Sequence, residues 1–392
     1  MTSTNRQVLR FDPATLSAAD ACALAEKALT GTGPALVPDG PAVSSVHSVT
    51  STVALLLPTS GSTGTPKLVE LSAGALLASA TATTSYLGGA GDWLLALPLT
   101  HIAGWQVVIR AVSTGASLHM LPADRPFTAD AFTETVRRRP PRYLSLVPTQ
   151  LKRLLQQRDS TAALAQCDAV LIGGAAVDSR LTQRAQRAGI RVVRTYGMTE
   201  TCGGCVYDGV PLPGTHLSVE QATSRVWLSG PMLARGYLGD PERTAATFVT
   251  RDGQRWVRTG DAGHIGPDGA LHIDGRLDNV IVTGAEKVHP GAVERVLRPH
   301  LGHVAVVGLP DEQWGQRVVA LVTGRPRQSD IEDGTAAVRA QLGPAAVPKQ
   351  VLMVDELPVT ALGKPDRVAT ARMAAPHTRN PKKDLGASVA CR

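Results

Sequence analysis

The segment with the strongest chemical character is a run of small hydroxyl residues and glycines that ends in a lysine. It reads TSGSTGTPK from Thr59 to Lys67 and follows an apolar run, residues 53–57, that predicts a strand. Glycines let the backbone approach a phosphate chain, while successive amides and hydroxyls donate hydrogen bonds and the lysine adds positive charge. The spacing is not that of the P-loop in nucleotide triphosphatases, because no Gly-Lys-Ser/Thr ends it. The pattern predicts a phosphate-binding loop, and a flexible turn is the alternative.

Four further motifs follow this loop along the chain. They are YGMTE at 196–200, RTGD at 258–261, GRLDN with IVTG at 275–284, and PVTALGK at 358–364. In this order the motifs resemble those of the AMP-forming adenylating superfamily, which includes acyl- and aryl-CoA ligases, peptide-synthetase adenylation domains and luciferases. The resemblance implies an enzyme that joins a carboxylate to the α-phosphorus of ATP, releases pyrophosphate, and passes the acyl group to a thiol, usually CoA.

ATP, Mg²⁺ and CoA are the cofactor and co-substrates that the resemblance implies. The loop is expected to hold the β,γ-phosphates, the aromatic ring of the YGMTE motif to pack against the adenine, and the aspartate of RTGD to accept hydrogen bonds from the ribose hydroxyls. The implied ATP-binding residues are Thr59, Ser60, Gly61, Ser62, Thr63, Gly64, Lys67, Gly174, Ala175, Tyr196, Gly197, Asp261 and Arg276.

Catalysis is assigned by the same resemblance. Thr199 is expected to hydrogen-bond the α-phosphate, and Glu200 to hold Mg²⁺, a hard cation that prefers oxygen ligands. Lys364 is expected to bridge the attacking carboxylate and the adenylate in the first half-reaction only. Asp278 resembles the hinge about which a small domain rotates between half-reactions, and Gly284 and Lys287 lie where that domain is expected to meet CoA. Taken alone, Glu200 and Lys364 would be interpreted as solvated surface residues.

The acid pocket is indicated by the segment PLTHIAG at 98–104, which resembles the PLFHxxG segment of acyl-CoA ligases. With GAEKVHP at 284–290 and the short chain, it resembles the o-succinylbenzoate:CoA ligases of menaquinone biosynthesis in their compact actinobacterial form. The implied acid-binding residues are His101, which is also counted as catalytic, Arg110, Gly173, Met198, Gly203 and Gly204.

Arg110 interrupts an apolar helical stretch, which is costly unless the charge is paired. A guanidinium fork matches a carboxylate, so Arg110 is a candidate partner for the second carboxylate of o-succinylbenzoate. The alternatives are that it faces solvent or pairs with a structural acid. Another aryl- or acyl-CoA ligase is the alternative function, and a non-catalytic nucleotide-binding protein is the alternative from another class.

The elements that must position these residues alternate between strands and helices, which predicts a largely parallel, doubly wound α/β sheet. The predicted strands are 53–57, 93–97, 117–121, 143–147, 169–172 and 192–195, and the predicted helices 73–86, 102–112, 129–138, 149–157 and 179–188. A β-rich portion follows at 217–274, where Asp268-Gly269 indicates a hairpin.

We therefore expect the acyl-adenylate-forming fold, with an N-terminal core at 1–275 whose N-terminus is short for the superfamily. A small, mobile α+β domain is expected at 276–373, and a disordered tail at 374–392.

Composition excludes several other classes. The chain has 392 residues, 43% of them hydrophobic, and a formal net charge of +7. No apolar stretch approaches the roughly 18 residues needed to span a bilayer. Five cysteines are too few for a disulfide framework, and Cys202 and Cys205 have no second pair for a zinc site. We expect a cytoplasmic enzyme with small-molecule substrates, no nucleic-acid partner, and a possible homodimer.

Overall fold

The computed structural model describes residues 5–40, 43, 45–59, 67–122, 125–359, 366–378 and 388–390. Its helices are α1 (Ala18–Thr30), α2 (Ala73–Leu87), α3 (Ile102–Thr114), α4 (Ala129–Arg138), α5 (Pro148–Leu154), α6 (Arg158–Leu164), α7 (Ser179–Arg187), α8 (Pro241–Thr247), α9 (Pro290–Leu301), α10 (Gln328–Leu342) and α11 (Arg367–Ala374). Its strands are β1 (Asn5–Phe11), β2 (Ala35–Pro38), β3 (Ser48–Thr50), β4 (Val53–Thr59), β5 (Lys67–Ser72), β6 (Trp93–Leu95), β7 (Leu118–Met120), β8 (Tyr143–Leu146), β9 (Ala169–Ile172), β10 (Val192–Met198), β11 (Gly203–Tyr207), β12 (Val210–Pro211), β13 (His216–Val219), β14 (Arg225–Ser229), β15 (Gly236–Tyr237), β16 (Phe248–Arg251), β17 (Gln254–Ile265), β18 (Leu271–Arg276), β19 (Ile281–Thr283), β20 (Glu286–Val288), β21 (Val304–Asp311), β22 (Gly315–Thr323), β23 (Gln350–Val354) and β24 (Ser388–Ala390).

One sheet carries the predicted strand 53–57 but none of the other predicted strands. Its order is β15-β5-β4-β2-β1-β3. Strands β1, β2 and β4 are parallel, whereas β4 and β5 are antiparallel and pair Thr59 with Lys67. All four residues of β2 are buried, and a strand this short beside Gly and Pro gives no clear period in the sequence. This mixed sheet was not predicted as a separate layer.

A second sheet contains the predicted parallel strands. Its order is β12-β11-β10-β9-β8-β6-β7, and β7, β6, β8, β9 and β10 are mutually parallel. Strands β8 and β9 are buried along their whole length, as expected where both faces of a parallel sheet are covered. The edge beyond β10 is antiparallel, because β11 and β12 return as a meander.

A third sheet accounts for the β-rich portion, with the order β13-β14-β17-β16 and β18 paired to β17. The turn between β17 and β18 contains Asp268 and Gly269. Gly269 adopts φ 77°, the left-handed region that favours glycine, and the Asp268 carboxylate accepts the Ala270 N–H at 3.1 Å. The predicted hairpin is confirmed.

The chain divides into two compact units. The first comprises Met1–Ser218, Trp227–Thr259 and Gly266–Leu271, and the second comprises Val219–Val226, Gly260–Ile265 and His272–Arg392. The second unit takes in short segments before residue 275, so the expected boundary at 275/276 stays a prediction.

Within the second unit, a sheet of order β20-β19-β22-β23-β24, with β21 beside β22, carries helices α9 and α10. Apolar side chains that include Val293, Leu297 and Ile331 form its buried core. Helix α10 buries Ile331, Gly334 and Val338 and exposes most of its charged residues. Within 374–392, the described residues include a 3-10 turn at Ala375–Thr378 and strand β24, which pairs with β23. The disordered tail stays a prediction. Across the described residues, no helix is both long and apolar enough to cross a bilayer.

Candidate active site

Several predicted site residues of the first unit lie at the carboxyl ends of the parallel strands. His101 follows β6, Gly173 follows β9, and Met198 is the last residue of β10. Because β6, β8, β9 and β10 are neighbours in one parallel sheet, the segments that follow them meet at the same edge. Ligands of open α/β sheets bind at this edge. The fold therefore brings together residues that lie almost a hundred positions apart.

Thr199 and Glu200 lie on a 3-10 turn, Thr199–Thr201, directly after β10. The turn is held by Thr201, which is fully buried. Its Oγ1 accepts the Met198 N–H at 2.9 Å and donates to the Gly203 carbonyl at 2.7 Å. Thr201 was not predicted as a site residue. The signal that could have found it is its place directly after Thr199 and Glu200, where a further hydroxyl can hold the turn.

Glu200 is approached by a tyrosine that sequence reasoning also missed. The Tyr237 hydroxyl donates to Glu200 Oε1 at 2.8 Å, and the Ala234 N–H donates to the Glu200 carbonyl at 2.9 Å. Burial and the nearby Glu200 carboxylate both raise the pKa of Tyr237 above its ordinary value, so its proton stays on the hydroxyl. Lys67 Nζ lies 5.1 Å from the centroid of the same ring.

The phosphate loop is described at its two ends. Thr59 ends β4 and Lys67 begins β5, and the two residues pair across the strands. The loop predictions Ser60, Gly61, Ser62, Thr63 and Gly64 lie outside the described residues, as does Lys364.

Three predicted glycines leave no room for a side chain. An added Cβ at Gly173 would lie 2.3 Å from Thr195 Oγ1, and one at Gly197 would lie 2.1 Å from the Gly203 carbonyl oxygen. At Gly204 it would lie 2.9 Å from the Tyr207 ring. Strands β9, β10 and β11 therefore approach each other closely beneath the turn that carries Glu200.

The predicted acid-binding residues His101 and Arg110 both belong to α3. His101 is the N-cap residue of this helix and makes no side-chain cap hydrogen bond. Gly104 allows the first turn to pack on the preceding segment, since an added Cβ there would lie 2.4 Å from the Pro98 carbonyl oxygen. Two turns later comes Arg110, only 3% exposed.

Arg110 neither faces solvent nor, among the described residues, pairs with a carboxylate. Its Nη2 donates to the Tyr207 hydroxyl at 3.3 Å, and its guanidinium carbon lies 5.1 Å from the Trp93 ring centroid. Arg110 Nε and the neighbouring Gln106 Oε1 are buried without a hydrogen-bond partner in the described part of the chain. Burial lowers the pKa of Arg110. The Arg110 guanidinium is therefore a buried cation with N–H donors that can still form hydrogen bonds.

Gly203 and Gly204 begin β11 between two cysteines. Cys202 and Cys205 are free and buried. Burial raises the pKa of the Cys205 thiol to about 12 and also raises that of Cys202. The described residues contain no group of three or more His, Cys, Asp or Glu side chains suited to a metal ion. Both thiols therefore line the strand as small apolar side chains.

The second unit holds a separate cluster of predicted residues. Arg276 donates from Nε and Nη2 to the two carboxylate oxygens of Asp278 at 3.1 and 2.9 Å. Its Nη1 lies 3.5 Å from Asp261 Oδ1. The fork with Arg276 lowers the pKa of Asp278. One charged group is thus formed by Asp261, Arg276 and Asp278. The resemblance assigns the first two to ATP binding and the third to the hinge.

The candidate CoA residues Gly284 and Lys287 lie on the β19–β20 hairpin. Gly284 has φ 56° and donates its N–H to the Trp314 carbonyl at 2.9 Å. Lys287 pairs with Val282 across the hairpin. No feature of this hairpin tests a CoA contact, so the assignment stays a prediction.

The residues around Glu200 suit a magnesium ion that arrives with ATP. Mg²⁺ is normally held by one or two carboxylates together with substrate phosphates rather than by a cage of protein ligands. Glu200 offers a carboxylate, Thr199 offers a hydroxyl, and Lys67 lies nearby for phosphate charge. The donor set therefore fits the expected ion.

Comparison with known proteins agrees with this arrangement. A family model described as AMP-binding enzyme matches residues 6–238, and one for its C-terminal domain matches residues 293–364. A probable 2-succinylbenzoate–CoA ligase from Mycobacterium tuberculosis is 42% identical over 334 residues, which cover 82% of this chain and 85% of that protein. An indoleacetate–CoA ligase from Aromatoleum aromaticum is 33% identical and covers 79% of this chain and 65% of its own.

Among solved structures, the amide bond synthetase McbA from Marinactinospora thermotolerans matches with a TM-score of 0.74 and 28% identity, covering 94% of this chain and 80% of its own. The expected acyl-adenylate-forming fold is confirmed. Two family models that together extend from the first strand to the predicted lysine motif leave one conclusion: the chain belongs to the AMP-binding enzyme family.

Proposed function

We propose that this protein is an AMP-forming 2-succinylbenzoate–CoA ligase that serves menaquinone biosynthesis. The observation that carries the proposal is the 42% identity to the mycobacterial ligase along 85% of that protein's length. Arg110 supports it, since its buried side chain pairs with no carboxylate in the part of the chain that the structure describes and this acid has a second carboxylate that needs a cation. ATP, Mg²⁺ and CoA are the further reactants.

In the first half-reaction, the substrate carboxylate attacks the α-phosphorus of ATP and pyrophosphate leaves. The work of the protein is alignment of two anions and neutralisation of charge. Bound Mg²⁺ supplies charge neutralisation at the phosphates. Lys67 adds a cation at the end of the phosphate loop, Thr199 offers a hydrogen bond to the α-phosphate, and Glu200 presents its carboxylate for the ion.

In the second half-reaction, the CoA sulfur attacks the acyl carbon and AMP leaves. His101, at the start of α3, is proposed to line the path to the acid pocket. Arg110 is proposed to hold the ring carboxylate, with Gly173, Met198, Gly203 and Gly204 forming the walls. Asp261 and Arg276 are proposed to hold the ribose, and Asp278 to act as the hinge. The domain boundary at 275/276, the contact of Gly284 and Lys287 with CoA, a cytoplasmic location and a homodimer stay predictions.

The test is pyrophosphate release in the presence of ATP, Mg²⁺ and CoA, with one acid at a time. We expect strong release with o-succinylbenzoate and little with benzoate, succinate or a medium-chain fatty acid. Mass detection of the succinylbenzoyl thioester confirms that CoA is the acceptor. Release with a different acid alone would keep the adenylating chemistry and discard the substrate.

The second candidate is another aryl-CoA ligase, favoured by the 33% identity to the indoleacetate–CoA ligase. The two functions differ in the need for a second carboxylate on the acid. Including indoleacetate in the same assay separates them, because its ring carries no acid for Arg110 to pair with.

A further inference from the structure

We propose that Tyr237 is a positioning residue for adenylation: its hydroxyl orients Glu200 toward Mg²⁺, and its ring holds Lys67 toward the phosphates. The inference rests on the proposed function, which gives Glu200 and Lys67 their roles. Its structural basis is that one side chain contacts both charged groups, Glu200 through its hydroxyl and Lys67 through its ring.

The hydroxyl contact is directed and buried. Tyr237 is 5% exposed, and its hydroxyl donates to Glu200 Oε1 at 2.8 Å. A hydrogen bond to an ionised acceptor is about twice as strong as one between neutral groups. The hydrogen bond to one oxygen restricts the rotation of the carboxylate and leaves its second oxygen with capacity to bind an ion.

The ring contact reaches the phosphate loop. Lys67 Nζ lies 5.1 Å from the ring centroid, within the range of a cation–π interaction. Tyr237 pairs with Val69 two residues into β5, the strand that Lys67 begins. The position of the lysine relative to the ring is therefore fixed by the backbone of the sheet.

The backbone around Tyr237 is tied to the same two groups. The Ala234 N–H donates to the Glu200 carbonyl at 2.9 Å, and the Leu238 N–H donates to the Leu68 carbonyl at 2.9 Å. The Tyr237 N–H donates to Thr244 Oγ1 at 2.9 Å. Segment 234–238 thus bridges the Glu200 turn and β5, and Tyr237 is its inward side chain.

A purely structural tyrosine in this protein is used differently. Tyr143 is also buried, but its hydroxyl donates to the carbonyls of Leu87 and Gly89 at 3.3 and 3.2 Å. Such bonds only satisfy backbone acceptors. The Tyr237 hydroxyl instead donates to Glu200, the carboxylate that is proposed to bind the ion. Removing a partner that orients a metal-binding group typically lowers metal affinity or activity 10- to 100-fold.

The test compares Y237F with Y86F, a matched control. Tyr86 also donates to a carboxylate, Asp208 Oδ2 at 3.3 Å, and packs edge-on against Tyr207, but it has no role in the proposed mechanism. Each protein is titrated with α,β-methylene-ATP by calorimetry, once with Mg²⁺ and once with EDTA. The ratio of the two affinities measures how much the ion contributes to binding. This readout needs neither an acid substrate nor turnover.

We expect Y237F to lower that ratio on the order of tenfold, while Y86F keeps the wild-type ratio. In the double variant E200Q/Y237F, the added loss should nearly vanish, because the hydroxyl acts through the carboxylate. Y237L, which also removes the ring, should weaken binding in EDTA about threefold or more. A ratio in Y237F equal to that of Y86F would overturn the inference.

The outcome is separable from that of the proposed function. If o-succinylbenzoate is the wrong acid, the calorimetric ratios stand unchanged. If the wild-type protein binds the analogue equally with and without Mg²⁺, the inference fails, whereas the adenylating mechanism is still decided by pyrophosphate release. The thermal unfolding midpoint of Y237F confirms that the variant is folded.

Discussion

Among single residues, Arg110 has the least ordinary environment. A buried guanidinium without a carboxylate partner is expensive, and among the described residues Arg110 contacts the Tyr207 hydroxyl and the Trp93 ring instead of an acid. We propose that the ring carboxylate of the acid supplies the missing charge. On this proposal, the cost in the empty protein is recovered when the acid binds.

Replacing Arg110 by methionine keeps much of its length and removes its charge. We expect R110M to raise the KM for o-succinylbenzoate roughly 10- to 100-fold, the range for losing a hydrogen bond to a charged group. The KM for 4-oxo-4-phenylbutanoate, which lacks the ring carboxylate, should change little. Pyrophosphate release measures both.

The control for R110M is an arginine stacked on an aromatic ring at the surface. Arg142 lies over Tyr143 at 5.1 Å and pairs with Asp168. R142M should leave the KM ratio of the two acids unchanged. An equal loss for both acids in R110M would assign Arg110 a structural role.

Arg110 and Glu200 could be predicted as site residues from the sequence, whereas Tyr237 and Thr201 could not. Arg110 stood out because a charge broke an apolar helical pattern, and Glu200 because it belongs to a motif. Tyr237 and Thr201 become visible only when strand pairing brings β5, β11 and β15 to the same turn. Local patterns report charge and spacing, whereas these roles depend on distant contacts.

At the scale of elements, α9 begins with an unusual cap. His289 is the N-cap residue, makes no side-chain cap hydrogen bond, and has a buried Nδ1 without a partner in the described part of the chain. Burial lowers the pKa of His289, an effect that Asp274 opposes and Lys287 reinforces. The folded state therefore disfavours the protonated imidazole.

This shift has a definite sign. Because the unfolded chain binds the proton more readily, the free energy of unfolding falls as pH falls through about 6.5, the ordinary histidine pKa, and the loss is complete below the lowered folded pKa. H289N should remove this part of the pH dependence. Asparagine is also a preferred N-cap, so we expect a gain of about 1 kcal/mol at neutral pH. Urea unfolding from pH 5 to pH 8 measures both effects.

His300 supplies the control, since it lies exposed on the same helix. H300Q should keep the wild-type dependence of stability on pH between those limits. If H289N keeps it too, His289 is not its source.

Helices and strands were predicted best where the sequence shows a single clear pattern, either an amphipathic period or a continuous apolar run. Helix α4 has the predicted bounds 129–138, and β9 the predicted bounds 169–172. Strands β1, β2 and β5 were missed, since short or polar strands gain their pairing from neighbours far along the chain. The helix predicted at 149–157 is shorter in the structure, because α5 ends at Leu154, and α6, which begins at Arg158, was not predicted.

For the whole molecule, the resemblance divides the reaction between two parts of the chain. Glu200 and Lys67 belong to the first compact unit, and Lys364 is numbered within the second. The first half-reaction is expected to need residues of both, whereas transfer to CoA is expected to proceed without Lys364. The two half-reactions are therefore separable by one substitution.

Lys364→Ala should reduce adenylate formation by at least 100-fold, the order of magnitude for removing one stabilising group from a transition state. Transfer from supplied succinylbenzoyl-adenylate to CoA should stay within a few-fold of the wild-type rate. Lys349, which lies over the Trp314 ring in the same unit, provides a control, and K349A should change neither rate. Equal loss of both half-reactions in K364A would contradict the assigned role.

The two cysteines at the start of β11, Cys202 and Cys205, bear on whether the acyl-adenylate acylates the protein itself. An acyl-adenylate is a strong electrophile, and the thiolate, not the thiol, is the form of cysteine that attacks it. Burial raises the pKa of the Cys205 thiol to about 12 and also raises that of Cys202, so both stay protonated in the cell. Incubation with acid and ATP without CoA should leave the intact protein mass unchanged. At the proposed acid site, formed in part by Gly203 and Gly204, the activated acyl group would thus lie beside these two thiols yet react only with the sulfur of CoA.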